Sequence, residues 1–238
     1  MRVSVVGCGR RGVLQAACLA AAGHEVVVLE SDVEARRALR AGLPGTAEPR
    51  LRRLLARALV SGRLRVTGDR TAVAGSRVHL LCTGRGAGHV GATGADDDAR
   101  SRAVVDALDV LAPHLGSGDL VVGRERVTPG TAAWLTAGLA ADGVPAEVVW
   151  VPDEHRSGHA VLDTLRPARL VYGVPTGARG ERATAILDAL HHVQLAAGTE
   201  RRTTDLAAAE RLGGDLAAPL RPSGPTGVDR ALATAGVA

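Results

Sequence analysis

Apolar residues in this chain keep two rhythms. Short runs dominated by aliphatics recur at residues 3–6, 26–29, 64–67, 78–82, 120–122, 147–151 and 170–174. That is the pattern of strands covered on both faces. Between them the apolar positions return every three or four residues. Residues 13–22 form an Ala- and Leu-rich helix closed by Gly23, and residues 32–41 a polar helix ended by Gly42 and Pro44. Residues 51–60 carry Leu51, Leu54, Leu55 and Leu59 on one helical stripe. Further helices are predicted over 99–111, 181–191 and 205–216. Another is opened by Thr128-Pro129-Gly130-Thr131 and runs to Leu139, with Pro129 suited to a helix start. Strands alternating with helices predict an α/β fold with a mostly parallel sheet between two helical layers.

The first thirty residues organise the rest. A strand runs directly into Gly7-Cys8-Gly9-Arg10-Arg11-Gly12, a helix follows, and a second strand ends on Glu30. This is the order of a dinucleotide-binding βαβ unit, so the fold expected is a Rossmann-type doubly wound sheet. Gly7 permits the tight turn, Gly9 the approach of backbone to a pyrophosphate, and Gly12 close packing of helix on sheet. The helix start offers N–H groups and a positive dipole end to the phosphates. Glu30, eighteen residues past Gly12, is placed to accept from a ribose 2′-hydroxyl and favours NAD over a 2′-phosphorylated cofactor. Arg36 and Arg37 soften that preference. Arg10 and Arg11 in the turn, with Thr83 after the strand at 78–82, complete the candidate cofactor-binding set. The expected organisation is an NAD-binding unit over 1–200, with a core at 1–115 and a smaller α/β extension at 116–200.

Composition narrows the chemistry. The 238 residues are 46% apolar, with no Phe, one Tyr and two Trp, so the core must be Val, Leu and Ala. No Lys and no Asn occur, and all 29 basic residues are Arg. A net charge of +4 and a pI near 9.7 come from arginines interspersed with acids, and aromatic stacking residues are scarce. Nucleic-acid binding is therefore not expected. Cys8, Cys18 and Cys82 lack metal-ligand spacing, which argues against a disulfide framework, and Cys82 reads as a small buried hydrophobe. No apolar run is long enough for a membrane span, and the opening strand leaves no room for a signal peptide, so a cytoplasmic chain is expected.

The remaining candidates have plainer explanations beside the functional ones. Asp96-Asp97-Asp98 suits the positive end of the helix that follows. His155 and His159 lie near Asp153, Glu154 and Asp163, but Ser157-Gly158 predicts a loop, and no metal site is expected. His191-His192 at a helix end suits the dipole there. Asp153, at the C-terminal end of a strand where ligand crevices form, is the candidate catalytic residue.

At this point the sequence resembles the UDP-glucose/GDP-mannose dehydrogenases. VSVVGCGRRG followed by AACLAAAGHEVVVLESD is similar to that family's opening, and Glu48-Pro49 with Leu51, then SGRLRVTGD, to its next segments. GDLVVGRERVTPGT resembles the strand and helix start carrying the family's Lys-Ser-Thr-Val-Pro-x-Gly-Thr run. VPDEHRSGHAVLDTLRPARLVYG resembles its Asn-Pro-Glu-Phe-x-x-x-Gly segment and the strand after it. The match covers residues 1–215.

The resemblance implies an N-terminal NAD-binding domain, a long central helix, and a C-terminal domain that binds the nucleotide sugar and supplies a catalytic cysteine. It implies oxidation of an alcohol twice, through a thiohemiacetal and a thioester, assisted by a lysine, an asparagine, a threonine-held water and a glutamate. Most of those positions have changed. The Ser-Thr pair falls on Glu125-Arg126, the glutamate on Asp153, the lysine on Gly213 and the asparagine on Ala217, and the family's proline-bearing turn reads Thr83-Gly84-Arg85, so its threonine is either displaced by one or lost. Residues 201–218 read as the remnant of the central helix and 219–238 as a flexible tail, with no C-terminal domain to follow. The implied function is an NAD-binding, nucleotide-sugar dehydrogenase-like oxidoreductase acting on a nucleotide sugar or small alcohol. The alternatives are a non-catalytic dinucleotide-binding regulator or subunit, and one half of a split enzyme whose C-terminal domain comes from a partner chain. A homodimer is a further expectation of the resemblance.

Overall fold

A computed structural model describes residues 1–83, 94–153, 155–156 and 158–212. Eight strands form one sheet: β1 (Arg2–Val6), β2 (Glu25–Leu29), β3 (Leu64–Thr67), β4 (Val78–Leu81), β5 (Leu120–Gly123), β6 (Glu147–Trp150), β7 (Arg169–Gly173) and β8 (Glu200–Thr204). Their order is β3-β2-β1-β4-β5-β6-β7-β8. Every neighbouring pair is parallel except β6 and β7, which meet antiparallel through the single pair Trp150 and Gly173. The expected fold class is therefore observed. The stretch 116–200 contributes β5 to β7 to the same sheet as residues 1–115, and β8 starts at its last residue.

The helices are α1 (Arg10–Ala21), α2 (Val33–Arg40), α3 (Leu51–Val60), α4 (Gly94–Leu111), α5 (Thr131–Ala141), α6 (Ala160–Leu165), α7 (Gly177–Leu190), α8 (His192–Ala196) and α9 (Leu206–Leu212). Strand residues alternate between two apolar layers. Val3, Val5, Val78, Leu80, Leu120 and Val122 face the layer that includes α1, α3 and α7. Val6, Leu81, Val121, Val148 and Trp150 face the layer that includes α4, α5 and α9. With no Phe available, close approach replaces bulk. Trp150 is fully buried, and a Cβ on Gly123 would lie 2.1 Å from its ring.

Several boundaries differ from the sequence reading. The first helix begins at Arg10, so half of the glycine motif is already helical. Asp97 and Asp98 lie inside α4 rather than before it, and Asp97 pairs with Arg100 and Arg126. Gly130, at φ +96°, is the residue before α5, which leaves Pro129 outside the helix. The strand β8 occupies positions read as the start of a helical remnant, whose helix begins only at Leu206. Residues 213–238, including the tail and the positions of Gly213 and Ala217, lie outside the described residues, as do Gly84, Arg85 and Glu154.

The helix-dipole explanation fails for His191. It is buried, its Nδ1 lies 3.0 Å from the Leu187 carbonyl and 3.1 Å from the Tyr172 hydroxyl, and burial, with nearby Arg124, pushes its pKa down to about 3. A ring held neutral gains nothing from the dipole. His24 and His79 are likewise pushed down, chiefly by burial. Above the ordinary histidine value of about 6.5, folded and unfolded rings are both neutral. As pH falls below that value, the unfolded chain takes up protons that the folded chain refuses, so stability is lost toward pH 3. Thermal melts should show Tm declining from pH 7 to pH 4, with a flatter profile for His191→Gln. Equal slopes for the two proteins would show that His191 does not carry this effect.

Candidate functional site

The site forms where the chain leaves the C-terminal ends of β1, β2, β4, β5 and β6. After β1 the backbone turns at Gly7, with φ +90°, and the Gly7 N–H donates to the Leu29 carbonyl at 2.9 Å. A Cβ there would lie 2.5 Å from the Cys82 carbonyl oxygen. At Gly12 a Cβ would lie 2.0 Å from the Gly7 carbonyl oxygen. Both glycines are demanded by the approach of α1 to the strand ends. Gly9 caps α1 with φ −57° and ψ 175°, and no side chain caps the helix and no acid lies in its first turn. The N–H groups and dipole of this helix end are therefore not met by a cap or an acid of the helix's own first turn.

Glu30 closes the other side of the turn. One carboxylate oxygen accepts from the Cys8 N–H at 2.8 Å and the other from the Asp32 N–H at 2.8 Å. Burial pushes its pKa up, but these hydrogen bonds outweigh it and hold the carboxyl below its ordinary value. The Cys8 thiol responds in the opposite sense, raised to about 12 by burial and by Glu30, and stays protonated. Of the two arginines near the ribose side, Arg36 is fixed: its guanidinium donates to the Glu30 and Ser31 carbonyls at 2.7 and 2.6 Å. Arg37 is exposed and pairs with Glu34. Arg10 is exposed at the start of α1.

Arg11 turns inward. Its Nη1 lies 3.1 Å from Asp153, 3.4 Å from the Arg124 carbonyl and 4.0 Å from Glu125. Asp153 also accepts from Gln15 at 2.8 Å and from Arg124 Nε at 3.1 Å, with His155 Nε2 3.7 Å away. Asp153, Arg124 and Glu125 are all buried. Burial raises the Asp153 pKa, but Arg124 first, then His155 and Arg11, more than offset it, so the carboxylate stays ionised well below the usual range. In this setting Asp153 anchors the end of β6 to α1 and β5. Its Oδ2 accepts two hydrogen bonds and its Oδ1 one, so most of its accepting capacity is committed to the protein.

Gln15 and Arg124 are members of this cluster that sequence reasoning missed. The available signal was the spacing of Gln15, one turn beyond Arg11 on α1. His155 bonds to Thr164 at 2.9 Å, whereas His159 precedes α6 and does not join the cluster. Thr83 follows β4, and its hydroxyl is buried with no hydrogen-bond partner among the described residues. Cys82 is fully buried and its thiol is pushed up by burial, which leaves it protonated and inert. Among the described residues no cluster of His, Cys, Asp and Glu could hold a metal, and no helix is long and apolar enough to cross a membrane.

A model of the NAD-binding domain of the UDP-glucose/GDP-mannose dehydrogenase family matches residues 1–191. The chain is 31% identical over 217 residues to a UDP-glucose 6-dehydrogenase of Rhizobium meliloti, covering 87% of this chain and 47% of that protein. It is 28% identical over 197 residues to a GDP-mannose 6-dehydrogenase of Pseudomonas putida, covering 80% and 44%. Among solved structures, a UDP-glucose dehydrogenase from Pyrobaculum islandicum superposes with a TM-score of 0.70 at 28% identity, over 89% of this chain and 48% of that one. A GDP-mannose dehydrogenase from Pseudomonas aeruginosa shares the fold with a TM-score of 0.72 at 24% identity, over 90% and 48%. The chain thus spans about half the length of the curated relatives it matches.

Proposed function

Because this chain belongs to the UDP-glucose/GDP-mannose dehydrogenase family, whose NAD-binding domain fills its residues 1–191, we propose that it holds NAD across the C-terminal edge of its sheet. Gly7, Gly9 and Gly12 bring the pyrophosphate to the first turn of α1, with Arg10 exposed beside it. Glu30 receives the adenosine ribose hydroxyls and disfavours a 2′-phosphate by charge. Thr83 borders the far side of the crevice. The observation that carries this reading is the uncapped start of α1 facing an ionised Glu30 across a turn that only glycine can make.

The chain then serves as the cofactor-holding part of a cytoplasmic nucleotide-sugar oxidoreductase. Residues 1–200 form the binding unit, and α9 is the start of the helix that leads toward a C-terminal domain, whether in a homodimer or from a partner chain. NAD supplies a hydride acceptor when bound; the groups described here bind and orient it. A second reading, a non-catalytic dinucleotide-binding subunit, draws on one observation. Asp153, at the position of the family's glutamate, is occupied by Arg11, Gln15 and Arg124.

Gly9→Trp separates binding from folding. The φ and ψ of Gly9 are open to any residue, so the variant should fold, while its side chain fills the phosphate approach. Calorimetry should show NAD affinity reduced by about tenfold or more, with Tm close to that of the parent. An unchanged affinity would place the cofactor elsewhere.

A further inference from the structure

We propose that Arg11 closes the nicotinamide half of this crevice, so that the chain recognises the adenosine diphosphate portion of its ligand and takes ADP-ribose as readily as NAD. The inference rests on the NAD-site reading above and, of the two roles given there, favours the non-catalytic dinucleotide-binding one.

A dinucleotide in this fold crosses the sheet at the point where strand order reverses, here between β1 and β4. The adenosine half lies over β1 and β2, where Glu30 waits. The nicotinamide half must then extend over β4 and β5. That path is taken. The Arg11 side chain starts from the end of β1 and reaches the Arg124 carbonyl just past β5 and the Asp153 carboxylate past β6. Glu125 lies 4.0 Å from the same guanidinium nitrogen.

The bridge is also electrically closed. Arg11 and Arg124 balance Asp153 and Glu125, so the cluster presents no net charge to a ligand. Opening it for a ribose and a ring would take the Arg11 guanidinium from the buried Asp153 carboxylate, which would keep Gln15 and Arg124, so the bridge resists displacement by the ion pair it would lose. The adenosine half is built the other way, with an uncapped helix end and a half-buried carboxylate held by backbone N–H groups rather than by a cation. The positions at which a hydride would be exchanged are therefore the ones that this chain has filled with its own side chains.

Calorimetric titration of the full chain with NAD, ADP-ribose and nicotinamide mononucleotide tests this directly. The expected result is ADP-ribose binding within about threefold of NAD and no heat from the mononucleotide. Saturation-transfer NMR on bound NAD should show strong transfer to the adenine protons and weak transfer to those of nicotinamide. NAD bound about tenfold or more tightly than ADP-ribose, with both rings saturated alike, would overturn the proposal and leave the NAD site standing. Binding of none of the three would overturn both. The charge-balanced double variant Arg11→Val with Asp153→Asn should shift the preference toward NAD by about tenfold. An unchanged preference in a folded double variant would remove Arg11 from the role.

Discussion

Gly12→Ala is expected to abolish NAD binding and to cost about 2–3 kcal/mol of stability, the upper end for overpacking a tight site. The added methyl would lie 2.0 Å from the Gly7 carbonyl oxygen and 3.0 Å from its carbon. Both obstacles are backbone, so no side chain can rotate away. Relief requires α1 to lift from the strand ends. That helix buries Val13, Leu14, Ala16, Ala17, Cys18, Leu19 and Ala20 against the sheet and its neighbours, so the strain spreads into the larger core. The same shift withdraws the helix N–H groups from the phosphate position. Denaturant unfolding and calorimetry read the two effects separately. The pattern should differ from Gly9→Trp, where binding goes and stability stays. A Gly12→Ala protein with parental stability and affinity would show that α1 is not pinned at this contact.

Asp153→Ala is expected to cost more, about 3–5 kcal/mol at neutral pH, because removing one partner leaves buried charge uncompensated. Arg124, as buried as Asp153 itself, would lose Asp153, and Arg11 would keep only the more distant Glu125 at 4.0 Å. The pH dependence gives the second check. The folded Asp153 carboxyl titrates below its ordinary value, so its contribution is complete above the unfolded value of about 3.9 and is lost as pH falls through the lower folded value. Parent and variant should therefore converge in strong acid. Asp153→Asn, which keeps an oxygen for Gln15 and Arg124, should lose less. An alanine variant within about 1 kcal/mol of the parent, the range of exposed pairs, would mean that the cluster is solvated and not an anchor.

How much of this was legible in the sequence follows from the length scale of each feature. The strands that sit in the middle of the sheet announced themselves, because burial on both faces forces continuous aliphatic runs such as Val26–Leu29. β8 did not: Glu200-Arg201-Arg202-Thr203-Thr204 is a largely exposed strand, paired on β7 alone among the described strands, and carries no apolar signal. The glycine turn was readable because its three demands fall within six residues. The cluster around Asp153 was not, since its partner Arg11 lies 142 residues away in the chain. Nor could the sequence separate Arg10 from Arg11. They are the same residue type, and about 100° of helical rotation sends one to solvent and the other into the ion pair. The histidines at 191 and 192 show the same limit: one is sealed beside Tyr172 and the other is exposed.

The single residue pair joining β6 to β7 also imposes an order of assembly. β1 through β6 can close as a parallel block, each strand fully hydrogen-bonded to one already present. β7 and β8 have no such template, since only Trp150 and Gly173 meet across the seam. Leu170 and Tyr172 join them to the apolar layer shared with α1 and α7, and α9 adds a clasp. Ala209 sits against Gly173, and the Glu210 carboxylate accepts from the Gly130 and Ala132 N–H groups at 2.9 and 2.6 Å. Because α9 follows every strand in the chain, a nascent polypeptide emerging from the ribosome can finish the first six strands early and gains this clasp on the final two only once α9 has emerged.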